Sequence, residues 1–196
     1  MKLTKSALRS SQQRLAQLER YLPTLQLKKG LLQQEVFKAR AESSKKSQVY
    51  EDLKRQLEEN RTLFVRARGI DFAEEICVQS IQKGEENIAG IDLPVFEGVT
   101  FELAHYHLFT TMLWTDSLVH LLQKAKRARI EIDIAHEREA ILTGELREVS
   151  IRVNLFEKIM IPRTKEQIKQ IRVFLSDQEL MAVARAKAAQ KKVQAV

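Results

Sequence analysis

The chain has 196 residues, of which 30% are charged and only 6% aromatic, with six glycines, three prolines and one cysteine. This helix-rich composition holds too few aromatics for a large packed core, and a single cysteine excludes an internal disulfide framework and fits a reducing compartment. The net charge of +7 sits at the ends: residues 1–18 carry Lys2, Lys5, Arg9 and Arg14, residues 180–196 carry Arg185, Lys187, Lys191 and Lys192, and neither stretch holds an acid.

No stretch approaches the ~20 apolar residues of a membrane span, and the N-terminus lacks the apolar run of a signal peptide. The sequence therefore reads as a soluble, cytoplasmic protein.

Residues 1–68 read as one long helix. Leu8, Leu15, Leu22, Val36, Tyr50, Leu57 and Phe64 share one heptad position, and Leu18, Leu25, Leu32, Ala39 and Leu53 share the position three residues on. A heptad sustained this long specifies a seam against another helix. Lys29, Ser43 and Lys46 interrupt the seam, and polar residues at such positions often set register. Pro23 predicts a bend, since proline removes a backbone hydrogen bond. Sixty helical residues would span roughly 90 Å.

The pattern changes at Gly69. Residues 69–104 read as a small head, in which residues 87–103 place Gly90, Pro94 and Gly98 among Ile, Val, Leu and Phe. That mixture predicts a short β-hairpin or irregular turns, and marks the reversal of the chain.

Residues 105–196 read as a second long helix returning along the first. Leu121, Ala128, Ala135, Leu142, Val149 and Phe156 are spaced by seven, with Leu146, Val153 and Met160 beside them. After Pro162 the phase slips by one, to Ile161, Ile168, Leu175, Ala182 and Ala189. Such a slip is a local change of supercoil, compatible with a kink at the proline. The fold expected is all-α dominated, a long antiparallel two-helix coiled coil with a small middle head and both termini at one end.

Motifs of catalysis are missing: there is no phosphate-binding or dinucleotide glycine loop and no zinc-binding cysteine pair. His105 and His107 flank Tyr106, with His120 further on, but no ligand set completes a metal site. Cys77 reads as a small buried residue. Trp114, with Phe109, Met112 and Leu113, either forms an exposed patch or packs inside the head. Arg152 and Glu157 are five apart, a poor intrahelical pair, which points Arg152 toward the opposite helix or a partner. Asn154 reads as a register-setting polar residue.

Brought together, the basic ends form one positive tip. It could meet nucleic acid, an anionic membrane or an acidic protein cavity. No aromatics interleave the charges as a base-stacking platform would need, and the alanine-rich 182–195 offers little bulky apolar surface to a bilayer. A free-standing coiled-coil adaptor or tether, dimerising through its seam, and a nucleic-acid-binding rod with steeply salt-dependent affinity both remain open on these grounds.

The stretch from Arg152 to Leu175, RVNLFEKIMIPRTKEQIKQIRVFL, resembles the signature of the D subunit of V/A-type rotary ATPases. Its elements here are Arg152, Val153, Asn154, Glu157, Ile161, Pro162, Ile168 and Ile171. The leucine-lysine segment Leu22 to Val36 and the turn from Asn87 to Pro94, with Gly90, are similar to the same family, in the same order along the chain. The resemblance implies a non-catalytic central-stalk rotor shaft without cofactor or metal. It also implies that both termini enter the hexamer of A and B subunits. The middle would bind the F subunit and reach the membrane rotor through the C subunit. On that reading the hexamer-facing tip comprises Lys2, Lys5, Arg9, Arg185, Lys187, Lys191 and Lys192, and nucleic acid is not a partner.

Overall fold

The computed structural model describes residues 3–66, 72, 76–102, 112 and 114–194, without the side chains of 65, 66 and 191–194. Its elements are helix α1 (Lys5–Glu59), helix α2 (Arg61–Arg66), strands β1 (Val78–Ile88) and β2 (Ile91–Phe101), helix α3 (Trp114–Asn154), a π-helical segment (Leu155–Met160) and helix α4 (Ile161–Gln194). The fold is dominated by paired long helices with a β-hairpin, as the heptads and the glycine cluster predict. The chain divides into two compact units, Met1–Gly30 with Arg147–Val196, and Leu31–Leu146.

In the first unit α1 starts behind a capping residue. The Thr4 hydroxyl accepts from the Ala7 amide at 3.2 Å, satisfying one of the donors a helix start leaves unpaired. Pro23 lies within α1, exposed, and the Thr24 hydroxyl donates to the Tyr21 carbonyl at 2.7 Å. The partner helix runs antiparallel: Lys165 reaches Glu19 at 2.9 Å and Lys5 reaches Glu179 at 3.7 Å.

The seam of this unit buries Leu18 on one side and Val149, Val153, Thr164, Ile168 and Ile171 on the other. Its spacing carries the main structural finding. Val149, half-buried Phe156, Thr164 and Ile171 are separated by seven, eight and seven residues; so are Val153, half-buried Met160, Ile168 and half-buried Leu175. The one-residue excess falls across Leu155–Met160, where the helix is wound as π and the Ile161 amide donates to the Phe156 carbonyl, five residues back. One wide turn thus absorbs one extra residue and returns the apolar stripe to the seam. The phase slip seen in the sequence is this π turn, which lies immediately before Pro162. Where the pyrrolidine would meet the carbonyl four residues back, the helix is already opened. The Thr164 hydroxyl turns back onto the Met160 carbonyl at 2.7 Å, so the one buried polar side chain of this seam is satisfied.

In the second unit α1 buries Leu32, Val36, Ala39 and Ser43, and α3 buries Leu118, Ala125, Ile132, Ala135 and Leu142. These α1 positions are the heptad positions read from the sequence, polar Ser43 included. The long helix expected over 1–68 breaks at Asn60, whose side-chain amide donates to the Gln56 carbonyl at 2.8 Å while its own carbonyl accepts from the Leu63 amide at 2.9 Å. The Asn60 backbone amide also donates to the Gln56 carbonyl, at 3.2 Å, so one carbonyl takes both bonds where the first helix ends and the short second one begins.

The hairpin pairs Ile88 with Ile91 around a two-residue turn, Ala89 (φ 55°) and Gly90 (φ 78°). Positive φ at both central positions is the turn that matches strand twist. Asn87 braces it, accepting from the Gly90 amide at 3.1 Å and donating to Asp92 at 2.6 Å. Pro94 lies in β2, opposite Glu85, and not in the turn itself. The hairpin rests on α3: Leu93 is buried, Arg127 stacks over the Phe96 ring at 5.5 Å, Lys83 meets Glu137 at 3.0 Å and Arg138 meets Glu86 at 2.9 Å. Ile134, also buried, shares the helix face of Arg127, Glu137 and Arg138.

Candidate partner-binding site

No described residues assemble a catalytic centre. The nearest approach is Ser43, His136 and Glu139, a trio of nucleophile, imidazole and acid types. Ser43 Oγ lies 3.2 Å from His136 Nδ1, and Glu139 approaches the same nitrogen at 4.0 Å. A proton relay needs the acid and the hydroxyl on opposite ring nitrogens. Here both use Nδ1, Ser43 is buried in the seam, and Glu139 is held by Arg40 at 3.1 Å. The cluster sets register between α1 and α3.

Among the described residues no group of three or more His, Cys, Asp or Glu could hold a metal, and no helix is long and apolar enough to cross a membrane. His105, Tyr106, His107, Phe109 and Leu113 lie outside the described residues. His120 is exposed, 3.8 Å from Asp116. Cys77, expected to be buried, is exposed. Half-buried Trp114 lines a groove of about 380 Å³ with Leu63, Leu118 and Leu121.

The feature that points outward is the end of α4. In the first unit α1 begins at Lys5, level with Glu179, and residues 176–190 are exposed throughout. Isolated helices of this length are marginal in water. Ala182, Ala184, Ala186, Ala188 and Ala189 supply the propensity that packing does not. On this stretch Leu180 (66% exposed), Met181 (59%) and Val183 stand in solvent with Arg185 and Lys187. Apolar side chains grouped with unpaired cations on an uncovered helix mark an interaction surface.

The residues singled out in the sequence fall into two groups here. Lys5, Arg9, Arg185 and Lys187 are exposed in the first unit, Lys5 in a solvent-screened pair with Glu179. Lys2 and the side chains of Lys191 and Lys192 lie outside the described residues. Of the motif, Val153, Ile168 and Ile171 are buried in the seam, Ile161 is half-buried, and Arg152, Asn154, Glu157 and Pro162 are exposed. Arg152 pairs with Glu148 on its own helix at 2.9 Å, not across the seam, and Asn154, on the solvent side, sets no register. The exposed apolar residues Leu180, Met181 and Val183 had no place in the sequence-based site; their off-heptad positions were the available signal.

Known proteins bear on this arrangement. Residues 7–191 match the family model described as the ATP synthase D subunit. The V-type ATP synthase D subunit of Chlamydia felis is 41% identical over 195 residues, covering 99% of this chain and 94% of the relative. Those of Chlamydia caviae and Chlamydia pneumoniae are each 40% identical over 195 residues, with 99% of this chain covered and 94% and 93% of theirs. A match across nearly the whole length, on a chain of paired heptad helices with no catalytic constellation among the described residues, leads to one conclusion: the chain belongs to the ATP synthase D-subunit family.

Proposed function

We propose how this chain, a non-catalytic central-stalk rotor component of a V/A-type ATP synthase, transmits torque. The end of α4, with the start of α1 beside it, enters the hexamer of A and B subunits and takes its bearing there. Leu180, Met181 and Val183 meet apolar sleeve surface, while Lys5, Arg9, Arg185 and Lys187, with Lys2, Lys191 and Lys192, face polar or acidic sleeve. The motif residues Val153, Ile161, Ile168 and Ile171 stiffen the shaft from within, and Arg152, Asn154, Glu157 and Pro162 lie on its outer face. The F subunit takes the second unit, where Leu31, Phe37 and Val49 stand exposed on α1, and the C subunit links it to the membrane rotor.

The observation that supports this most is the uncovered, alanine-rich helix past Glu179 with its apolar and cationic side chains. A slender helix fits an axial sleeve, and its charges slide without a deep fixed pocket. Coupling then means that each shaft angle favours one nucleotide state at each catalytic site. Replacing Lys2, Lys5, Arg185, Lys187, Lys191 and Lys192 by Gln together should leave ATP hydrolysis by the hexamer measurable but uncouple it from rotation, read by single-molecule rotation. Unaltered coupling would make these charges incidental.

A further inference from the structure

The π turn does more than restore register. Beside it lies a hollow of about 390 Å³ whose rim includes Arg14 from α1, Leu155 and Ile159 from the π segment, and Arg163 and Gln167 from α4. No carboxylate lines it. Arg14 and Arg163 take part in no ion pair among the described residues. The adjacent groove of the same unit differs in holding a carboxylate: there Glu19 pairs with Lys165 at 2.9 Å, beside Lys169 and Arg172. The hollow at the π turn presents two guanidinium groups and no carboxylate among its lining residues. Leu155 (41% exposed) and Ile159 (54%) sit one turn apart, with exposed Ile151 in line. An ordinary helix here would need one residue fewer; π turns of this kind gather at functional sites.

We propose that this hollow is a docking site for an acidic segment of the protein sleeve around the shaft. An Asp or Glu carboxylate lies on Arg14 and Arg163, and an apolar neighbour covers Leu155 and Ile159. Guanidinium groups suit this role because their planar donors match a carboxylate two bonds at a time. The site is separate from the basic tip, and it rests on the rotor reading above.

The test uses the full chain and a reconstituted A/B hexamer in 150 mM salt, an ionic strength that screens exposed charge over about 8 Å. Arg14→Glu with Arg163→Glu should weaken binding about 30-fold or more, whereas Lys45→Glu with Lys126→Glu, the same charge change on exposed residues of the second unit, should cost about threefold at most, because only the former is contacted directly. Both arginines are exposed and unpaired, so circular dichroism should show an unchanged fold. Arg14→Lys with Arg163→Lys keeps the charge and should give an intermediate loss. A photo-crosslinking side chain at Ile159 should capture a hexamer peptide containing Asp or Glu. Equal losses in both reversed pairs, or a captured peptide without an acid, overturns the docking site while leaving the rotor reading intact. Binding of inorganic phosphate by the isolated chain, lost on reversal of the two arginines, with no crosslink to the hexamer, also overturns it, in favour of a free-anion site. Failure of the unaltered chain to bind the hexamer sinks the rotor reading itself.

Discussion

The one-residue excess at Leu155–Met160 makes deletion and insertion unequal. Deleting exposed Lys158 turns the spacing of seven, eight and seven into three sevens, so an ordinary α-helix keeps Thr164, Ile168 and Ile171 in the seam. The obstacle is Pro162, which in a regular helix costs about 3 kcal/mol; the deletion is therefore made with Pro162→Ala, and Pro162→Ala alone is the reference. Inserting one alanine after Lys158 does the opposite. A second excess residue rotates everything beyond it by about 100°, which brings Ile168 and Ile171, now 6% and 1% exposed, out of the seam. Losing the burial of two isoleucine side chains costs about 3–6 kcal/mol. Urea denaturation followed by circular dichroism, with amide hydrogen exchange over residues 161–175, reads both. The deletion should stay within about 1 kcal/mol of its reference, and the insertion should unprotect 161–175. An insertion as well tolerated as the deletion would refute the idea that the π turn exists to hold register.

Ala89 occupies a left-handed conformation that costs a residue with a Cβ about 1 kcal/mol and that asparagine adopts more readily. Ala89→Asn should raise hydrogen-exchange protection of the β1 and β2 amides about threefold, and an unchanged or lower protection would contradict the turn assignment. Glu42 has its carboxyl held below the ordinary value of 4.5, chiefly by its hydrogen bond with Lys46, with charge contributions from Lys46 and Arg138 working against partial burial. A lowered value means stability present above about pH 4.5 and lost as pH falls through the folded value. Glu42→Gln should cost about 0.3–0.5 kcal/mol at pH 7, the size of an exposed i,i+4 pair, with the gap closing on acidification below 4.5; a gap independent of pH would rule the pair out as its cause.

How much the sequence revealed depended on how far each feature repeats. The α1 seam was legible residue by residue, because Leu18, Leu32, Val36, Ala39 and Ser43 recur at heptad spacing and are buried. The phase slip after Met160 was legible too, but its cause was not: periodicity counts residues per turn and cannot distinguish a kink at Pro162 from a π turn before it. The hairpin turn at Gly90 announced itself, whereas β1 did not. Its polar stretch from Gln79 to Asn87 faces mostly solvent and carries little alternation to read. The break at Asn60 falls where the Gln56 carbonyl takes both the side-chain and the backbone amide of one asparagine, a local arrangement that pattern does not record. Arg152 does not reach the opposite helix, and Asn154 lies off the seam, for a related reason. The better partner for Arg152 was Glu148, four residues before it, and Asn154 follows a seam residue without sharing its face. The exposed tip was half legible: its charges could be counted, but that α4 runs uncovered beyond Glu179 emerges only when α1 is seen to begin level with it.

The most direct test of the rotor assignment is mass spectrometry of the intact assembly purified with this chain from its own source. One copy of the chain per hexamer of A and B subunits, with the F subunit attached, is the predicted result. A stable homodimer that recruits none of these partners would contradict it.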